Sequence, residues 1–218
     1  MNADGWGVGW WDRAVRPEPA RYRTAAPMWT DRSVRSVAVV VQADAFMAAV
    51  RSATPSSPIV PTGNAPFAAG RWLFSLNGFV RGFRGPVGEG LRRLVSEERS
   101  IGIDGTTDSE VLFALVLDAL DAGAEPEVAL ATVIARARER AEGRLNLMLC
   151  DGVDIVATTH GNSLFTLRDA GLATGGVLVA SEPLDDDDAW VAVPDGCVVR
   201  AVGTDLEISP LATHGGPA

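Results

Sequence analysis

The run RLNLMLCDGVDIVATT, residues 144–159, decides how this chain folds. Its first half, 144–150, has a period of two, the spacing of a half-buried β-strand. Asp151-Gly152 is a hairpin-turn dipeptide, because both residues tolerate the positive φ that a tight turn needs. A second strand then covers 154–159. The same period returns at 163–167, 177–180, 196–202 and 205–208, so the C-terminal third reads as a strand meander.

Upstream the period changes. Thr107-Asp108-Ser109-Glu110 opens a helix to about residue 120, and Pro126 stands near the start of another, to about 142. A charged piece at 91–99 is also helical. Further back, 5–11 and 71–75 read as strands, and 71–75 leads straight into Asn77-Gly78, a strong turn signal. The apolar 45–53 segment is a buried strand running into Thr54-Pro55. Asp31 is the expected N-cap of a helix over 32–42, with Val34, Val37, Ala38 and Val41 at helical spacing. Pro17 and Pro19 mark a loop, and 58–69, with its three prolines, is irregular. Strands, then two helices, then a meander predict an α+β layered domain. No internal repeat, linker or boundary interrupts it.

Composition narrows the function. The chain has 218 residues, 47% hydrophobic and 22% charged, enough for one soluble domain with a real core. Its net charge of −9 repels phosphate backbones, so no nucleic-acid partner is expected. All 19 basic residues are Arg, which excludes a Lys nucleophile or Schiff base. Cys150 and Cys197 form neither a disulfide framework nor a metal signature. His160 and His214 cannot build a zinc site, and the tail around His214 is expected to fray. No apolar run spans a bilayer and no signal peptide opens the chain, so a cytoplasmic protein with no membrane partner is expected.

Four features could carry chemistry. Arg51 interrupts an apolar strand, and a buried guanidinium needs a partner, from the protein or from a ligand. Asn77-Gly78 is either a plain turn or a side-chain amide and backbone N–H aimed at one oxyanion. Asp108 stands at a helix start, where capping is the ordinary role of a carboxylate. The Asp185, Asp186, Asp187, Asp188 run reads as a solvated loop without a tight metal.

The order of these features is more specific than any one of them. NADGWGVGW at 2–10, RSAT at 51–54, LNG at 76–78, TDSE at 107–110 and SEP at 181–183 together resemble the class II glutamine amidotransferase domains. Among these the likeness is greatest to the γ-glutamyl hydrolases of ergothioneine biosynthesis, and it runs from residue 1 to about 202. A final short strand and flexible tail would occupy 203–218. The resemblance implies an N-terminal-nucleophile hydrolase, a four-layer αββα sandwich of two antiparallel sheets, needing no cofactor and no metal. A homodimer is compatible with it. Arg51 would grip the α-carboxylate of a γ-glutamyl group, with Thr54 assisting. Asp108 would hold its α-ammonium, and Asn77 with the Gly78 N–H would form the oxyanion hole. The implied substrate is a small γ-glutamyl-cysteinyl conjugate.

The family's nucleophile is an N-terminal Cys whose own α-amine acts as base. Residue 2 here is Asn2, and neither Cys150 nor Cys197 has a free α-amine. The expectation is therefore a domain lacking its first strand and nucleophile, and an inert one in this form. The alternative is a glutamyl-binding module that has lost catalysis. Leu76 also departs from the family, whose members commonly carry His there.

Overall fold

The computed structural model describes residues 2–54 and 57–212. Pro55 and the tail around His214 lie outside them. The chain divides into two compact units. One comprises residues up to Ser75 with 104–107 and 150–152; the other comprises 76–103, 108–149 and everything from Val153 onward.

The first unit is built on the GWGVGW motif. Strand β1 (Trp6–Trp10) is the centre of a three-stranded antiparallel sheet, flanked by β2 (Ala20–Thr24) and β3 (Phe46–Val50). Val8 lies opposite Tyr22 on one side and Ala48 on the other. The alternating glycines of β1 have a packing reason. A Cβ on Gly9 would lie 2.6 Å from Leu73 Cδ1, so the smallest residue lets a second layer approach closely. Leu73 and Phe74 are fully buried there. They belong to β5 (Trp72–Val80), whose beginning pairs antiparallel with β4 (Phe67–Ala69), Phe74 opposite Phe67.

Four local readings change in this unit. The 45–53 segment does form a strand, β3, but not a buried one: of its five residues only Met47 is buried, and Phe46 and Val50 are exposed. The segment after Pro19 is a strand, β2, rather than loop. Its ARYRT sequence alternates Arg with Ala, Tyr and Thr and presents no apolar face to recognise. The 58–69 stretch is not wholly irregular, since it contains β4. Helix α1 (Val34–Val40) forms where helical spacing predicted one, but none of its residues is buried. Its N-cap is Ser33, because the Asp31 carboxylate is already engaged. Asp31 accepts hydrogen bonds from the Ser33 N–H at 3.1 Å and the Tyr22 hydroxyl at 2.6 Å.

The second unit carries the meander and the helices. Here β6 (Gly143–Cys150), β7 (Asp154–Thr158), β11 (Cys197–Val202) and β12 (Asp205–Pro210) follow the predicted strands. They lie in the order β12-β11-β7-β6-β5. A separate three-stranded sheet has β8 (Phe165–Arg168) between β9 (Val177–Ala180) and a two-residue β10 (Val191–Ala192), which the sequence reading missed. Ala157, Leu164, Val193 and Val199 form a buried cluster.

Four helices complete the unit: α2 (Pro86–Arg92), α3 (Glu97–Ile101), α4 (Asp108–Asp121) and α5 (Pro126–Arg138). The predicted charged helix at 91–99 is broken in two by Ser96. Its hydroxyl caps α3 by accepting from Arg99 N–H, and it donates to Asp118 at 2.6 Å. Every residue of α4 from Glu110 to Leu117 is buried. Truncating one of its leucines, for example Leu115→Ala, is expected to cost about 2–5 kcal/mol. α5 packs on α4 and on β7. It stops at Arg138, short of the expected 142, because the chain turns there towards β5: the Glu142 carbonyl accepts from Arg81 N–H at 2.9 Å. Among the described residues no helix is long and apolar enough to cross a membrane.

Candidate functional site

In the first unit, Arg51 follows the last residue of β3. Its N–H donates to the Gly5 carbonyl at 2.9 Å, its carbonyl accepts from Asp4 N–H at 3.0 Å, and Asp4 Oδ2 accepts from Ala53 N–H at 2.8 Å. The NADG and RSA segments are thus tied backbone to backbone. The Asp4 side chain is a structural clamp that sequence reading did not single out.

The Arg51 guanidinium is half-buried and firmly placed. Nη1 donates to the Pro58 carbonyl at 3.0 Å and to Asn64 Oδ1 at 3.4 Å. Asn64 is fully buried, and its Nδ2 donates to the Thr24 carbonyl at 2.6 Å, which fixes which end of the amide faces Arg51. Gly63 lies against the guanidinium, where a Cβ would come within 2.8 Å of Nη1. Asn64 and Gly63 were not among the expected functional residues. Their only sequence signal is a polar residue ahead of Ala65-Pro66 in a stretch read as irregular. Thr54 is exposed, and its carbonyl accepts from Ser57 N–H at 2.9 Å.

In the second unit, Asn77-Gly78 is no turn. Both residues lie inside β5, which continues to Val80. Gly78 has φ +147°, a conformation that side-chain-bearing residues avoid, and a Cβ there would collide with the Arg144 carbonyl oxygen. Asn77 is exposed at the same place. The amide of Asn162 donates from Nδ2 to the Asn77 main-chain carbonyl at 3.0 Å and to Asn77 Oδ1 at 3.4 Å.

Asp108 is brought to the same strand. Its Oδ2 accepts from Val80 N–H at 2.9 Å and its Oδ1 from Ser109 N–H at 2.8 Å. Burial pushes its pKa above the ordinary carboxylate value, and the bonds from Val80 and Ser109 oppose that rise. The helix-start role read from sequence is present, and the carboxylate also bridges to β5 two residues beyond Gly78.

The Asp185–188 segment is a largely exposed loop stitched to itself. Asp185 accepts from the Trp190 indole N–H at 2.8 Å, and Asp187 from Ala189 N–H at 2.9 Å. Among the described residues no group of three or more His, Cys, Asp or Glu side chains could hold a metal. Neither Cys150, which is buried, nor Cys197 is in a disulfide.

Residues 1–175 match the family described as class-II glutamine amidotransferases. The chain belongs to that family. It is 36% identical over 217 residues to the γ-glutamyl-hercynylcysteine sulfoxide hydrolase of Mycobacterium tuberculosis, covering 100% of this chain and 83% of that protein. It is 37% identical over 211 residues to the protein of the same name from Mycolicibacterium smegmatis, covering 97% of this chain and 83% of the relative. Among solved structures, a glutamine aminotransferase class-II domain protein from Silicibacter pomeroyi superposes with a TM-score of 0.77 at 29% identity, covering 96% of this chain and 92% of that one. The α+β sandwich of the N-terminal-nucleophile type, implied by the sequence resemblance, is therefore the fold of this class II amidotransferase.

Proposed function

We propose that this class II amidotransferase is a γ-glutamyl amide hydrolase that releases glutamate from a γ-glutamyl-cysteinyl-hercynine-type conjugate. The observation that carries the reading is the 36% identity, along the whole chain, to hydrolases named for such a substrate. The residue chemistry supports it. Arg51 binds the α-carboxylate through charge-assisted hydrogen bonds, with Thr54 beside it. Asp108, when ionised, takes the α-ammonium. The Asn77 amide and the Gly78 N–H stabilise the oxyanion of the tetrahedral intermediate.

The reaction needs a thiolate. A Cys sulfur attacks the γ-carbonyl carbon, and its proton passes to that residue's own α-amine, which titrates near pH ~7.7. The intermediate collapses with breakage of the C–N bond, and the departing amine takes the proton. Water then hydrolyses the thioester to glutamate. Cys150 and Cys197 are the only cysteines in the sequence. Both are internal, so neither is assigned this role. The second reading is a module that binds γ-glutamyl groups without turning them over.

One pair of measurements separates the two. Protein expressed from its complete reading frame is incubated with a γ-glutamyl-cysteinyl conjugate of histidine betaine, and free glutamate is followed. L-glutamate binding is measured by calorimetry on the 218-residue chain. Turnover that Asp108→Ala and Arg51→Ala abolish supports the hydrolase. Binding without turnover supports the module, and neither activity defeats both.

A further inference from the structure

We propose that Asn162 is the positioning residue of the oxyanion hole, holding the Asn77 amide so that its Nδ2 faces away from Asn162 and towards substrate. The proposal rests on the γ-glutamyl reading above. A side-chain amide accepts at one end and donates at the other, and only the donor end can stabilise an oxyanion. Left alone, an exposed Asn can turn either end towards the reacting carbonyl. Here Asn162 Nδ2 donates both to the Asn77 main-chain carbonyl and to Asn77 Oδ1. A donor placed there favours one orientation of Asn77.

Asn162 is itself held from three sides. Arg144 Nη1 donates to its Oδ1 at 3.4 Å. Its main-chain N–H donates to Asn146 Oδ1 at 3.3 Å, and its main-chain carbonyl accepts from Asn146 Nδ2 at 3.0 Å. Asn146 is buried in β6 and uses its whole amide on this loop: Oδ1 also accepts from His160 N–H at 2.7 Å, and Nδ2 also donates to the Ser163 carbonyl at 3.1 Å. Asp195 adds a fourth anchor by accepting from Gly161 N–H at 2.9 Å. A buried amide with all four bonds made is costly to misplace, so it fixes the 160–163 loop. Arg144 links both halves of the pair, its guanidinium on Asn162 and its carbonyl packed against Gly78.

The test uses L-glutamate, whose γ-carboxylate would stand where the oxyanion forms, against L-2-aminobutyrate, which lacks that group. Calorimetry on the 218-residue chain compares wild type, Asn77→Ala, Asn162→Ala, Asn162→Asp and the two double variants. Side-chain amide NMR follows Asn77. Asn162→Ala is expected to weaken glutamate about tenfold, the scale of one lost hydrogen bond, while aminobutyrate binding stays unchanged. Asn162→Asp keeps shape and the Arg144 contact but cannot donate, so it draws Asn77 Nδ2 towards itself and weakens glutamate at least as much. On the Asn77→Ala background neither substitution has a further effect, whereas plain repulsion by the new carboxylate would persist there. Moved Asn77 amide resonances in both single variants complete the expected result. The proposal is overturned if Asn77→Ala weakens glutamate but the Asn162 variants do not, or if their effect survives on the Asn77→Ala background. Should wild type not bind glutamate, or Asn77→Ala leave it unaffected, the γ-glutamyl reading fails instead. The orientation claim is then decided by NMR: unmoved Asn77 amide resonances in the Asn162 variants defeat it, and moved ones support it.

Discussion

The Asp108 Oδ2 atom accepts a hydrogen bond from the Val80 backbone N–H at 2.9 Å, joining the first residue of α4 to the last of β5. Burial raises the Asp108 pKa in spite of that bond. The folded protein therefore keeps this proton to a higher pH than the unfolded chain does. The associated stability is fully present below the unfolded carboxylate value of about 3.9 and is lost as pH rises through the folded value. Asp108→Asn should remove this downward slope, read as urea midpoints across the mildly acidic range. Identical slopes in wild type and variant would contradict the assignment. Under the γ-glutamyl reading, glutamate affinity should also fall as acid protonates Asp108, because the neutral carboxyl no longer attracts an ammonium.

His160 titrates with the opposite sign. Burial lowers its pKa, the nearby Arg138 lowers it further, and Asp195 works against both. Its contribution to stability is present above the unfolded His value of about 6.5 and is lost as pH falls through the folded value. His160→Gln should flatten that acid-side loss and leave the Asp108 slope in place. A variant curve with unchanged acid-side loss would exclude His160 as its source.

Gly78 tests the β5 geometry directly. With φ +147° and the Arg144 carbonyl where a Cβ would sit, Gly78→Ala must strain or displace the strand. Destabilisation of about 2–3 kcal/mol is expected, or a loss of about 5 °C or more in Tm for a chain of this size. A Tm equal to wild type would mean that β5 relaxes freely at this point.

These sites show where the sequence was legible. The meander and the two long helices were readable because their periods are local and reinforced by burial, as in β6, where Leu145, Leu147 and Leu149 are all buried. Asn77-Gly78 misled as a turn because its local turn preference yields to strand pairing; Gly78 is selected by the Arg144 carbonyl, which is distant in sequence. β2 was hidden because Arg21 and Arg23 mark a strand as polar although both are tertiary ligands, Arg21 to the Pro66 carbonyl and Arg23 to those of Thr62 and Asn64. Arg51, Asn77, Gly78 and Asp108 were legible as an ordered motif set. Asn64, Asn146 and Asn162 were not, since an amide's role is set by which backbone groups reach it, and no local pattern records that.

Gly63 separates function from stability most cleanly. A Cβ there would approach Arg51 Nη1 at 2.8 Å and its Cζ at 3.1 Å, but the atoms in the way are the end of a side chain, and Gly63 needs no positive φ. Gly63→Ala can therefore be accommodated by swinging the guanidinium aside, at little cost to the fold. The swing would break the Nη1 bonds to the Pro58 carbonyl and Asn64 Oδ1 that now aim the group. Tm should stay within about 2–4 °C of wild type, the shift that 1 kcal/mol gives at this size. If Arg51 binds the ligand carboxylate, L-glutamate affinity should fall about tenfold or more, the weight of a charge-assisted hydrogen bond. Asn64→Ala offers the contrast: it empties a fully buried site and removes the Asn64 donor from the part-buried Thr24 carbonyl, so stability and binding should fall together. Calorimetry and thermal melts on the two variants decide the matter. A Gly63→Ala protein that melts and binds like wild type would show that the placement of Arg51 is not what sets affinity.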